Sequence, residues 1–141
     1  GETGEVTRPE QDARLGRGRA RLGLALEQLV QIERERWPAR GEVARHYEAV
    51  VDTLRGYLEA AEDLPARERT TEEVLWSLPP HLSQDGLRDR ADTLLGQADL
   101  VKFARFRPTP ATAAQFLVQC RSLLGEWHAA RLTGEVADAL R

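Results

Sequence analysis

Val43-Ala44-Arg45-His46-Tyr47-Glu48-Ala49-Val50-Val51-Asp52-Thr53-Leu54-Arg55-Gly56-Tyr57-Leu58-Glu59-Ala60-Ala61 is the stretch that decides the fold. Val43, Tyr47, Val50, Leu54, Tyr57, Leu58 and Ala61 recur by threes and fours over more than five turns, with the charges elsewhere. That spacing predicts an amphipathic helix with one continuous inward face. Upstream, Leu22, Leu26, Leu29, Val30 and Ile32 repeat at helical spacing until Pro38 ends the run, which predicts a first helix.

Downstream, Leu64-Pro65-Ala66 breaks the pattern. Thr70 then offers a hydroxyl to the free N–H groups of a new helix, and Glu73 reaches back three positions to complete a capping box. Pro79-Pro80 stops that short helix after Leu78. Ser83 is read as the cap of a fourth helix carrying Leu87, Ala91, Leu94, Leu95 and Ala98 toward Phe103. Thr109-Pro110 starts a fifth, whose stripe is Ala113, Phe116, Leu117, Cys120, Leu123, Leu124 and Trp127. A weaker pattern follows from Leu132. No alternating strand pattern or internal repeat competes, so the expectation is all-α, a single domain of about five helices packed as an irregular bundle.

Residues 1–19 hold Gly, Thr, Pro, Glu and Arg and almost nothing apolar, so they read as a disordered basic arm, with the helical domain covering 20–141. On that reading the arm could be removed without moving the thermal midpoint. The chain opens on Gly1 and lacks methionine, which reads as a fragment or a processed product. At 141 residues it is long enough to bury roughly 68–70% of its unfolded surface. No apolar run reaches the roughly 18 residues that cross a bilayer, so it reads as a soluble domain.

The net charge of −3 speaks against wholesale attraction to nucleic acid, yet the charge is segregated. Arg14, Arg17, Arg19 and Arg21 come without an acid among them, whereas the stretch 42–63 is acidic. Cys120 stands alone among apolar neighbours, so no internal disulfide forms and a buried thiol is expected. Glu42 and His46 have a metal-ligand spacing but no further partner, and His81 and His128 belong to no ligand motif. Neither Ser83 nor Ser122 sits in a nucleophile motif, and Gly16, Gly18 and Gly23 make no phosphate loop. No cofactor and no catalytic residue is expected; the chain does not read as an enzyme.

Four runs carry a resemblance: Arg45-His46-Tyr47-Glu48, Leu54-Arg55-Gly56-Tyr57-Leu58-Glu59, Arg69-Thr70-Thr71-Glu72-Glu73-Val74-Leu75, and Ala98-Asp99-Leu100-Val101-Lys102-Phe103-Ala104 with Pro108. In this order they resemble the cytoplasmic C-terminal domain of BatD-like membrane proteins encoded beside MoxR-type AAA+ ATPases and von Willebrand factor A proteins. The resemblance implies a non-catalytic interaction module of a membrane-anchored accessory protein, tethered to the inner membrane by a segment absent from this chain. Its partner would be the ATPase or the von Willebrand factor A protein. The arginine cluster at 14, 17, 19 and 21 then suits a juxtamembrane segment on an anionic lipid surface. The alternative is an adaptor that binds nucleic acid through that arginine-rich arm.

Asp99, Lys102 and Arg105 are three apart and share a helix face. Phe103 and Phe106 either anchor a recognition patch beside them or finish the core, and the core is the favoured reading for the two rings. Trp37, Trp76 and Trp127 are read as rings near helix ends, with Trp76 on a helix too short to hide it. The candidate partner-binding residues are therefore Asp99, Lys102, Phe103, Arg105 and Trp76.

Overall fold

The computed structural model describes residues 7–140, and its helices follow the apolar stripes. Helix α2, Val43–Glu62, buries His46, Tyr47, Val50, Thr53, Leu54, Tyr57 and Leu58 along one face. Helix α6, Pro110–Ala139, starts where Thr109 Oγ1 accepts a bond from the Thr112 amide and proline takes the first position. It buries the predicted stripe from Ala113 to Trp127 and continues past Leu132. Helix α1 is Arg8–Glu35, α3 Thr71–Ser77, α4 Pro80–Ser83 and α5 Leu87–Phe103, with 3₁₀ turns at Trp37–Arg40 and Ala66–Glu68. No strand occurs among the described residues, so the fold is all-α, with five helices of seven residues or more.

Helices α1, α2 and α6 each pack on the other two. α1 and α6 run antiparallel: Glu33 lies 3.7 Å from Arg121 near one end, and Gly18 faces Arg131 and His128 near the other. α5 closes the bundle against α2 and α6, and α3 and α4 bridge onto it. The entry to α6 is tied to α2 by two contacts. Tyr47 stacks on Phe116 with ring centroids 4.2 Å apart, and His46 Nε2 lies 2.8 Å from the Ala113 carbonyl oxygen.

Several expectations are corrected. The chain is helical from Arg8, so the disordered arm expected up to Arg19 is wrong over Arg8 to Arg19; residues 1–6 lie outside the described residues. Thr7 Oγ1 accepts from the Glu10 amide with Pro9 at the second helical position, and Gly18, Ala25, Leu29 and Ile32 are buried along α1. Ser83 does not cap α5: its hydroxyl bonds the carbonyls of Leu78 and Pro79, and Gly86, with φ 77°, turns the chain into α5 instead. Trp127 is not beside a helix end; it is buried within α6. Phe103 and Phe106 do not complete the core, being 74% and 52% exposed.

Two outcomes test this packing. Leu54→Ala and Leu117→Ala, each at a fully buried position, are expected to lower unfolding free energy by roughly 2–5 kcal/mol in urea titrations. Deleting residues 1–19 strips the helix turn that covers His128 and Arg131 and should lower the melting temperature by roughly 3–8 °C, for a loss on the order of 1–2 kcal/mol. An unchanged midpoint would return the arm to the disordered class.

Candidate functional site

Arg55 sits midway along α2 and organises the surface beside it. Its guanidinium donates to the Ala66 carbonyl at 2.6 Å, to the Arg69 carbonyl, and at 3.5 Å to Thr71 Oγ1. Burial disfavours its charge, and Asp99 and Asp52 nearby favour it. One planar cation thus pins the 3₁₀ turn and the start of α3 against α2. The α3 start is fixed a second way, since Thr70 and Glu73 form the predicted capping box at 3.2 and 2.9 Å. Arg67 lies across α2 above Gly56, reaching Asp52 and Glu59 at 3.3 Å each.

Between this strap and α5 runs a groove of about 780 Å³. Arg45, Glu48, Asp52 and Arg55 of α2 form one wall, the strap from Arg67 to Thr71 another, and Asp99, Lys102 and Phe103 of α5 the third. Trp37 closes one end, with the Arg45 guanidinium 4.5 Å above its ring. Asp99 is half-buried; Lys102 is exposed, its Nζ 5.3 Å from the Phe103 ring. So three of the five sequence candidates meet here. Arg105 lies beyond the groove, in the turn after α5 with φ 56°. Trp76 is elsewhere, 72% exposed beneath Arg88, whose guanidinium is 4.4 Å from the ring. The α2 wall was missed in the sequence, although Arg45, Glu48, Asp52 and Arg55 repeat by threes and fours as regularly as the apolar stripe behind them.

A second polar feature occupies the other end of the bundle. Arg14, Arg17 and Gly18 of α1 share a recess of about 550 Å³ with Glu62, Asp63, Arg131 and Glu135. The Glu62 side chain is only 6% exposed; one oxygen is 3.0 Å from Arg131 and the other 3.1 Å from His81 Nε2. Arg131 also donates to the Ala61 carbonyl and approaches Glu135 at 3.8 Å. Tyr57 is buried near this network, which pushes its hydroxyl up to about 12, burial first and the Glu62 charge second. Arg14, Arg17 and Arg21 fall along one flank of α1, and Arg19 lies on another, close enough to disfavour charge on His128.

These groups make contacts between helices. Cys120 is buried in the core and burial pushes its thiol up, away from the reactive thiolate. Among the described residues no three His, Cys, Asp or Glu side chains group as metal ligands. Comparison with protein-family models, with curated proteins and with solved structures found no match to this chain. The site is therefore read from its own geometry.

The buried histidines make stability depend on pH. Burial, and for His128 the charges of Arg131 and Arg19, hold His46 and His128 below the usual imidazole range. The unfolded chain then binds protons that the folded chain refuses, so stability is full above about pH 6.5 and falls as pH drops below it. His128→Gln should flatten that acid limb in denaturation midpoints measured from pH 7.5 to 5. An identical slope in the variant would remove His128 from the cause.

Proposed function

We propose that this is a non-catalytic protein-interaction domain that docks a partner segment in the groove between α2 and α5. What carries the reading is convergence: the four runs quoted for the family resemblance lie on three parts of the chain, two on α2, one at the start of α3 and one at the end of α5, and each places side chains in this one groove. Arg45 and Glu48 come from the first run, Arg55 from the second, Arg69, Thr70 and Thr71 from the third, and Asp99, Lys102 and Phe103 from the fourth. Arginine and aromatic side chains in a partly desolvated groove are the groups that dominate protein interfaces. The mixed charge favours a segment of mixed charge over a uniformly charged polymer.

By the same resemblance, the partner is a MoxR-type ATPase or a von Willebrand factor A protein, and the domain works on the cytosolic side of an inner-membrane protein. No described helix is long and apolar enough to cross a membrane, so the proposed tether is a segment other than these helices. Nucleic-acid binding through the arginine-rich segment is the weaker proposal, because Arg14 and Arg17 share their recess with Glu62, Asp63 and Glu135.

The test is direct binding to the ATPase and to the von Willebrand factor A protein encoded in the same genome, by calorimetry or biolayer interferometry. Arg45→Ala with Glu48→Ala should leave the melting temperature within a few degrees, as exposed charges contribute about 1 kcal/mol or less. Affinity should fall about tenfold, roughly 1.4 kcal/mol. No binding to either protein, or binding that the double variant leaves untouched, overturns the assignment.

A further inference from the structure

The groove accounts for one side of the α5 terminus and leaves the other side unexplained. Leu100, Phe103 and Phe106 expose 53, 74 and 52% of their surfaces, and residues 102–107 form six consecutive exposed positions. A run exposed at every position projects beyond the groove that its first two residues line. Three cations are interleaved with the apolar groups, Lys102, Arg105 and Arg107, and residues 100–107 contain no acid. The nearest acid in sequence, Asp99, is half-buried on the groove side near Arg55.

The turn holds this arrangement rigidly. Arg107 donates to the carbonyls of Val101 and Phe106 at 2.9 Å each, the Phe106 amide bonds the Leu100 carbonyl at 3.1 Å, and Arg105 takes a left-handed conformation at φ 56°. A non-glycine residue there is held at a conformational cost of about 1–2 kcal/mol. Cations at a helix C-terminus are explained by the helix dipole. Phenylalanines turned to water beside them are not.

We propose that residues 100–107 form a membrane-contact tip that seats on an anionic lipid surface. Aromatic and aliphatic side chains on a convex turn partition into the headgroup region while neighbouring cations meet lipid phosphates. A protein partner would be expected to offer a pocket for each ring, whereas a fluid surface accepts side chains that splay apart. Single-stranded nucleic acid also combines stacking with cations, but Leu100 has no stacking face. The contact is one surface anchor with three cations, so its affinity is modest and falls with salt. This inference does not rest on the groove reading.

Cys120 is buried and its thiol held up, so Phe106→Cys provides a single accessible thiol in the 141-residue chain for an environment-sensitive nitrobenzoxadiazole label. With vesicles of equal parts phosphatidylglycerol and phosphatidylcholine, the emission should shift to the blue and brighten. Phosphatidylcholine alone should give at least tenfold weaker partition, and about 0.5 M salt, where screening acts over roughly 4 Å, should release the protein. Adding Leu100→Ser with Arg105→Asn should weaken partition at least tenfold while circular dichroism stays unchanged; asparagine tolerates the left-handed turn, and neither residue lines the groove. Equal binding to neutral vesicles, no shift with either vesicle, or insensitivity to the tip substitutions together with loss on Arg14→Gln and Arg17→Gln would each overturn the proposal. So would a shift produced by a single-stranded oligonucleotide and not by vesicles.

Discussion

The candidate surface of this domain depends on one cation. Arg55 reaches from the polar side of α2 to two backbone carbonyls and a hydroxyl of the segment that follows α2. Those bonds act together with Arg67, which reaches Asp52 and Glu59, and with the fully buried Ala66, to hold over α2 a segment from Leu64 to Thr70 that has only three residues in a 3₁₀ turn. The geometry asks for a planar fork, because an ammonium offers one point of charge where three acceptors lie in different directions. Burial disfavours the Arg55 charge, and Asp99 and Asp52 nearby favour it. Asp99 is thus part of two things at once: it lines the groove, and it supports the residue that gives the groove its wall.

The two charge blocks of the sequence meet at one recess of the fold. The basic segment of α1 lies alongside the acidic end of α2, and Glu62 is the inward member, held between Arg131 and His81. Such a pair contributes little net free energy, since the desolvation of both ions offsets their attraction. Its effect is on register. Gly18 is buried where α1 meets Arg131, and a Cβ there would approach the Arg131 Nε to 3.3 Å, so glycine permits a close crossing that the ion pairs then orient. The same placement puts Arg14 and Arg17 in one recess with Glu62, Asp63 and Glu135.

The stripes of α2 and α6, the α3 capping box and the Thr109-Pro110 start were legible because each is a local rule that the tertiary structure also satisfies. The start of α1 was legible too, in Thr7-Arg8-Pro9-Glu10, but the glycines at 16, 18 and 23 and the arginines between them obscured the spacing of Leu15, Gly18 and Leu22. A glycine can occupy a buried helix position when the neighbour comes close, which periodicity of large apolar residues does not register. Ser83 lost its predicted role because Gly86 supplied a turn no serine cap needs. At the candidate site, Asp99, Lys102 and Phe103 could be read ahead, as neighbours on one helix end. The α2 wall could not, because which polar face of a helix meets a loop is decided by long-range packing.

Phe103 and Lys102 belong to both proposed surfaces. They line the groove on one side and stand in the exposed turn on the other, with the Lys102 ammonium over the Phe103 ring. Two occupants that draw on the same side chains are coupled, and the coupling is reciprocal: whatever free energy lipid contact removes from groove binding, groove binding removes from lipid contact. Leu100, Arg105 and Phe106 belong to the tip alone, and Arg45, Glu48 and Asp99 to the groove alone. The sign of the coupling then follows from whether one conformation of the Phe103 ring serves both, because a ring drawn into lipid leaves the groove wall and a ring held against a partner leaves the tip with two apolar groups in place of three.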